Sequence, residues 1–412
     1  MPYKDVSVKV LSQDDAYATV EVHAMLRPDA EKPWDEQVRT LQFALVSGQW
    51  KVSKTDSFAS VAGLATATAQ AQIAAATATA GMEARFQSDA RGANLSAVHM
   101  LSATEGWALG ENVMLHYTGG EWVPQRIPDT MPGGRVHGTQ GLRDIYMLSA
   151  NDGWIVGGDP ASNGAIEYNV AFILHYDGTQ WSTVGELPEA GKGYTLTAID
   201  MVSPTEGWAV GNNTILHYTT ASTGGSTGAG GGMGTWEKVK SPGDGNYALY
   251  DIKMVSADEG WATGRSGIML HYKGGTWSQV ESNVHDHMYT LAVVSSSDVW
   301  ALGDYGHTTH YDGTAWTEPN LALNWSNNLQ FRGASFSSPA DGWAVDKWGG
   351  RFLHFSNGKW QELEESLSPK RNNSRAEGLY GIFMLSAEEG WAVGAEGLVL
   401  HYIDGKWTEF KR

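Results

Sequence analysis

The 412-residue chain contains no cysteine. That removes disulfide frameworks, thiol nucleophiles and cysteine-ligated metals together, so the fold must hold by packing and hydrogen bonds. Basic residues are scarce as well: 28 Lys+Arg stand against 46 Asp+Glu, a formal net charge of -18, with no run of positive residues. Nucleic-acid binding relies on Lys/Arg patches that displace counterions from phosphates, so neither a nucleic-acid partner nor an anionic membrane surface is expected. No apolar stretch approaches the ~18 residues of a membrane-spanning helix, so direct membrane insertion is not expected. No leader-like segment opens the chain, which reads as a mature or truncated product. There is also no serine nucleophile elbow, phosphate loop, His-Glu-x-x-His or Asp-x-Asp-x-Asp-Gly calcium loop. Neither a metal nor a cofactor is expected.

What is abundant is glycine and tryptophan, 50 and 18 residues respectively. Many turns with many large anchors point to repeated short strands. The tryptophans Trp107, Trp154, Trp208, Trp261, Trp300, Trp343 and Trp391 recur at intervals of 39 to 54 residues. Five positions before each stands a serine: Ser102, Ser149, Ser203, Ser256, Ser295, Ser338 and Ser386. Two positions before each stands an acid: Glu105, Asp152, Glu206, Glu259, Asp298, Asp341 and Glu389. Downstream, each copy carries a histidine followed by an aromatic: His116, His175, His217, His271, His310, His354 and His401. Each then closes on a second tryptophan: Trp122, Trp181, Trp236, Trp277, Trp316, Trp360 and Trp407. Each copy reads as four short strands, exemplified by Leu379 to Met384, Gly-Trp-Ala-Val-Gly, Leu-His-Tyr and Trp-Thr-Glu-Phe, with turns such as Asp177-Gly178-Thr179 between the third and fourth. One such unit cannot bury its own apolar face, and seven of them match a radial arrangement. The predicted fold is all-β: a seven-bladed β-propeller over 92–412, with blades at about 93–126, 140–185, 194–240, 247–281, 286–320, 329–364 and 377–412. Blade 7 carries its own fourth strand and blade 1 its own first, so ring closure without strand exchange is expected.

The Trp-Ala-Val-Gly and His-Tyr-Asp-Gly-x-x-Trp patterns resemble the Asp-box repeat of bacterial neuraminidases, and more closely the propellers of photosystem-II-assembly-factor-like bacterial proteins. The resemblance covers roughly 92–412. It departs from a full Asp box where the aspartate is missing, as in Lys273-Gly274-Gly275 and Asn357-Gly358-Lys359. It implies the fold, whereas a role is not inherited with a propeller.

Residues 1–57 form an N-terminal β segment, with strand-like alternation at Val6 to Val10, Ala18 to Val22, Leu41 to Leu45 and Gly48 to Val52. Its last hairpin resembles the end of a nuclear-transport-factor-like cone domain whose helices are missing, so the segment is expected either to be truncated or to pair elsewhere, in cis or in trans. Residues 58–91 read as an Ala/Thr/Gln-rich, partly helical linker, with Glu83 to Gln87 as a candidate outer strand. Similar tracts resemble juxtamembrane spacers of Chloroflexota-type surface proteins, which implies an exported bacterial chain, extracellular or at the cell surface, with an anchor N-terminal to Met1.

The strand-three histidines are expected to make structural hydrogen bonds within each blade, and the seven acids to be scattered, solvated charge. The serines and acids are read as turn chemistry between strands one and two, each serine accepting a backbone N–H while the acid reaches back. Recognition is better sought where the copies differ. Eleven positions before the first tryptophan stand Ser96, Arg143, Thr197, Tyr250, Tyr289, Arg332 and Tyr380. The next position reads Ala97, Asp144, Ala198, Asp251, Thr290, Gly333 and Gly381, and a third variable column reads His99, Tyr146, Asp200, Lys253, Ala292, Ser335 and Phe383. Apolar columns alternate with these, which places the variable ones in the central channel. The candidate ligand-binding residues are therefore Arg143, Asp144, Tyr250, Asp251, Tyr289, Arg332 and Tyr380, joined by Trp325 as a loop anchor. The connections 127–140, 281–287, 317–329 and 363–377 converge on the same mouth, as does the insertion Asp159 to Tyr168. The Gly/Ser/Thr tract from Thr219 to Gly234 is read as a disordered loop tip on the opposite face. The expected function is a non-catalytic, extracellular binding or scaffold propeller recognising a glycan, peptide or protein. One alternative is a structural subunit whose N-terminal strands pair between subunits as a homo-oligomer. Another is a sialidase-like glycosidase built from Arg143, Arg332 and Arg265 with Tyr250 or Tyr380.

Overall fold

The computed structural model describes residues 3–13, 17–26, 35–46 and 49–54, and then 90–412 apart from 91, 111–112, 128–140, 163–166, 186, 192, 221–233, 244–246, 320–328 and 364–377. Residues 1–89 and 90–412 are separate compact units. In the first, β1 (Tyr3–Gln13), β2 (Tyr17–Leu26), β3 (Asp35–Val46) and β4 (Gln49–Lys54) pair in chain order as an antiparallel meander. The predicted strands are all present, and the pairing from Tyr17↔Ala44 to Leu26↔Asp35 runs unbroken. These strands therefore satisfy one another. The linker and the outer strand expected at Glu83 to Gln87 lie outside the described residues.

The second unit is a ring of seven antiparallel four-stranded sheets, each in chain order. Its innermost strands run from Leu95–Ser102 in blade 1 to Leu379–Met384 in blade 7, and the last lies beside the first. Every blade is built from its own four strands, so the ring closes without strand exchange, and Asn94 Oδ1 accepts the Glu396 N–H (2.9 Å) across the closing seam. In blade 2 the hairpin between strands two and three is prolonged by pairs from Asp159↔Val170 to Ser162↔Glu167, which accounts for the insertion.

The repeated columns build the seams between blades. The first tryptophan of one blade meets the second tryptophan of the next edge-on: Trp107 with Trp181, Trp154 with Trp236, Trp208 with Trp277, Trp261 with Trp316, Trp300 with Trp360 and Trp343 with Trp407, at centroid separations of 5.2 to 5.7 Å. Trp391 meets Trp122 in the same way at 5.5 Å and 82°, so the closing seam is equivalent to the other six. Edge-to-face aromatic pairs contribute roughly 0.5–1.5 kcal/mol beyond their buried area. A single strut is weak, and a closed ring of them is not.

Within each blade the strand-three histidine lies against the ring of the first tryptophan, with centroids 3.8 to 4.3 Å apart. Its Nε2 pairs with the acid at the start of strand two: Glu105, Asp152, Glu206, Glu259, Asp298, Asp341 or Glu389, at 2.5 to 3.3 Å. The expectation of solvated acids is thus corrected: each is a half-buried acceptor that orients the imidazole over the indole. In blade 4, burial lowers the pKa of His271 even though Glu259 works to raise it. The pair is a neutral imidazole donating to a carboxylate. The serine part of the turn reading holds, since its Oγ accepts the N–H two residues on in every copy, from Thr104 to Glu388. The acid's carboxylate does not bond that serine, although in blade 6 Asp341 Oδ1 accepts from the neighbouring Ser337 Oγ (2.7 Å).

Candidate functional site

The inner strands do not alternate as regularly as their sequence suggests. In every blade the pairing of strand one with strand two slips by one residue near its start, between Leu95 and Ala97 in blade 1 and between Leu379 and Gly381 in blade 7. The residue left unpaired is the one eleven positions before the tryptophan. A β-bulge inserts an extra residue and re-aims side chains. This one turns Arg143, Tyr250, Tyr289, Arg332 and Tyr380 into the channel together with the residue that follows each.

Seven of the eight proposed binding residues line a single cavity of about 430 Å³: Arg143, Asp144, Tyr250, Asp251, Tyr289, Arg332 and Tyr380. Trp325 lies outside the described residues, as do most of the connections 127–140, 317–329 and 363–377 and of the tract Thr219 to Gly234. The carboxylates serve two ends. Asp144 accepts the N–H groups of Ile145 (2.9 Å) and of Ile199 in the next blade (3.0 Å). Asp251 likewise accepts those of Ile252 (2.8 Å) and of Leu291 in the next blade (2.7 Å). They staple adjacent inner strands where both line the cavity.

Deeper in the channel, Lys253 stands among Asp144, Asp200, Asp251 and Tyr146. Burial alone would lower its pKa, but Asp251, Asp200 and Asp144 outweigh that and hold it above its ordinary value. Burial also acts on the groups around it. Asp144 is pushed up to about 6 and Asp200 up to about 7, in both cases against the pull of Lys253. Burial, reinforced by Lys253, takes His99 down to about 3. Asp200 staples blade 3 to blade 4 through the Met254 N–H. A second cavity of about 390 Å³, further along the same strands, shares Tyr146, Asp200 and Lys253 with the first. With Ala334 and Ser335, which the two cavities also share, they line the channel floor where the cavities meet.

At the mouth, three bulge residues form a ladder across blades 4 to 6. Tyr250 stacks on Tyr289 (5.0 Å, 24°), and the Arg332 guanidinium lies 3.9 Å from the Tyr289 centroid. Arg332 donates from Nε and Nη2 to Gln330 Oε1, while Gln330 Nε2 and Tyr289 Oη donate to Asp304. The ladder is preorganised by groups of the protein itself. Burial pushes Tyr289 up to about 12, so its hydroxyl keeps its proton and remains a donor. Across the opening, Arg143 is exposed and makes no hydrogen bond or ion pair among the described residues. Two cations with spare donors thus face a cavity rimmed by tyrosines, in a chain of net charge -18.

The sequence reading missed Asp304 and Gln330, which fix the ladder. Asp304 belongs to a further variable column, four residues after the tryptophan, where the copies read Glu111, Gly158, Asn212, Arg265, Asp304, Lys347 and Ala395. That variation was the available signal. Among the described residues there is no group of acids and histidines able to hold a metal ion, and no helix long and apolar enough to cross a membrane.

No protein-family model matches the chain, and no curated protein matches it in sequence. Solved structures do match. The propeller is similar to that of YCF48 bound to D1 peptide (17% identity, TM-score 0.54, 76% of this chain and 92% of that one). It is similar to YCF48 from Cyanidioschyzon merolae (15%, TM-score 0.54, 76% and 96%) and to the WD40 repeats of RRP9 (9%, TM-score 0.52, 73% and 88%). At these identities the likeness is one of fold, and the fold is the one implied by the repeat.

Proposed function

We propose that the chain is a non-catalytic binding propeller that captures a polypeptide segment of a partner at the channel mouth of blades 4 to 6. The observation that carries this reading is the juxtaposition of exposed Arg143 with the Arg332–Tyr289–Tyr250 ladder around one cavity. Arginine donors suit a carboxylate, and tyrosine faces suit apolar or planar groups at small entropic cost. The charged floor at Lys253 and Asp200 supports binding at the mouth over passage through the channel. A similar propeller has been solved with a peptide bound, which favours a peptide ligand here.

A glycan is the second reading, favoured by the paired tyrosine rings at the entrance. A sialidase-like reaction would need a Tyr/Glu pair beside converging arginines. The cavity lining contains no glutamate among its described residues, and Arg332 is held by Gln330. An extracellular or cell-surface location, and assembly through the edges of the N-terminal sheet, belong to the same proposal. Parallel peptide and glycan arrays, probed with the full chain and with an Arg143→Ala/Arg332→Ala variant, test it. Peptide signals that the variant loses support the reading. Glycan-only signals, or signals indifferent to the two substitutions, overturn it.

A further inference from the structure

In blades 3 to 7 the turn between strands two and three reaches the mouth face, and its tip is five residues after the first tryptophan. In blades 3, 4, 5 and 7 that tip residue has a left-handed backbone: Asn213 (φ 56), Ser266 (φ 55), Tyr305 (φ 56) and Glu396 (φ 50). Asparagine suits that conformation, whereas a bulky aromatic there is strained and persists only with a compensating reason. Tyr305 draws no such compensation from burial, since it is 60% exposed. In blade 6 the same tip position holds Trp348, 51% exposed, with Lys347 Nζ 4.6 Å from its ring. Among the described residues these are the two most exposed large apolar side chains, and the other two exposed ones, Val123 and Ile403, belong to outer strands of blades 1 and 7.

Blade 6 also departs from the repeat in a way that fixes its turn. Three residues after the tryptophan the other copies have glycine, because a Cβ there would meet backbone, as at Gly211, where it would lie 1.7 Å from the Thr195 carbonyl oxygen. Blade 6 has Asp346 instead, fully buried, accepting the N–H of Gln330 (2.8 Å) and of Gly349 (2.8 Å). One carboxylate thus ties the Trp348 turn to the strand that carries Arg332. Asp304, beside Tyr305, bonds Gln330 in the same network. The two aromatic tips are therefore anchored to the ladder at the mouth. Two cations, Arg332 and Lys347, lie close to one another beside these tips: Arg332 adds to burial in lowering the Lys347 pKa, and Asp304 offsets this only in part. An anionic group placed there would relieve their repulsion.

We infer that Tyr305 and Trp348 form an outer docking rim for an extended acidic polypeptide segment, whose carboxylate sits over Arg332 and Lys347 and whose neighbouring aromatic or aliphatic side chain rests on the two exposed rings. This rests on the mouth reading above and specifies its ligand: a chain long enough to leave the cavity, with an acid next to an apolar residue. Exposed aromatics of this kind are the side chains that dominate affinity at interfaces.

The test is panning of a random dodecapeptide phage library on the full chain, followed by anisotropy titration of the selected peptides with the wild type, Tyr305→Asn, Trp348→Ala and Arg143→Ala/Arg332→Ala. Asparagine is the residue of blade 3 at the same φ, so Tyr305→Asn retains the turn. The expected peptides carry Asp or Glu within a few positions of Trp, Phe or Leu. Trp348→Ala is expected to weaken them about tenfold and Tyr305→Asn somewhat less, with melting temperatures equal to or above the wild type. Peptides without an apolar preference, or bound equally by both rim variants yet lost by the arginine variant, would sink the rim and leave the mouth. If no peptide is selected, or binding is indifferent to the arginines too, both fall. A melting temperature that drops on Tyr305→Asn as far as on loss of a seam tryptophan would make the ring structural and also overturn the rim.

Discussion

At the outer seam, seven copies of one residue set act alike. In each, an imidazole lies against an indole, an acid orients the imidazole, and an indole from the next blade closes the contact. At the inner bulge, seven copies of one backbone position carry Ser, Arg, Thr, Tyr, Tyr, Arg and Tyr. The backbone is the same in each case, and only the selection on side chains differs. A ring closed by packing has to satisfy the same geometric condition at every seam, so side chains there are confined to what fits. The channel side of the bulge imposes no such condition, and what stands there is free to serve recognition. The carboxylates are an intermediate case, since Asp144, Asp200 and Asp251 staple inner strands at only some of the seams.

The largest effect should come from breaking a seam. Trp208→Ala removes a fully buried indole and is expected to lower unfolding free energy by about 3–5 kcal/mol. Trp391→Ala, at the closing seam, should cost the same within about 1 kcal/mol, because its contacts match those of Trp208. Denaturant unfolding of both variants checks this, and a much smaller cost at Trp391 would mean that the ring is not uniformly closed.

The second effect is pH-dependent and belongs to the channel floor. Asp200 titrates at about 7 in the folded chain, against ~3.9 for an unperturbed aspartate. The folded state therefore binds this proton more tightly than the unfolded state between those values. Below pH ~4 the group is protonated in both states and contributes nothing, and as pH rises to about 7 it becomes progressively destabilising. Asp144, at about 6, behaves in the same way over a narrower window. Asp200→Asn keeps an acceptor for the Met254 N–H but cannot ionise. It should flatten the melting temperature between pH 6 and 7, leave the Asp144 contribution below pH 6, and gain up to roughly 4 kcal/mol at pH 8. An unchanged pH profile would show that Asp200 is ionised throughout, as a simple partner of Lys253.

A smaller loss is expected on removing the acid of one blade. Glu206→Gln leaves an acceptor oxygen for His217 but forfeits the charge-assisted bond, at about 1 kcal/mol, and Glu105 and Glu389 should behave alike. A near-zero effect would make these acids passive.

The blade number, strand order and ring closure were legible because each is enforced seven times, and periodicity in Trp, His and Ser exposes what geometry repeats. The bulge was not legible, since it comes from the pairing of two strands and breaks the simple alternation on which the channel columns were assigned. The columns themselves were still found, because variation within a repeat needs no geometry to be seen. The acid at the start of strand two was misread: its partner is 11 residues further on in blade 1 but 23 in blade 2, so spacing hides the pair. Asp304, Gln330 and Asp346 were passed over because each acts through backbone groups or through a neighbouring blade.

The division between seam and bulge is tested most directly by measuring unfolding free energy and affinity for a selected peptide together on Arg143→Ala/Arg332→Ala. The expected result is an unfolding free energy within about 1 kcal/mol of the wild type and binding weakened by tenfold or more, roughly 1.4 kcal/mol or above. A loss of several kcal/mol in stability with affinity intact would show the mouth residues holding the ring and contradict the account.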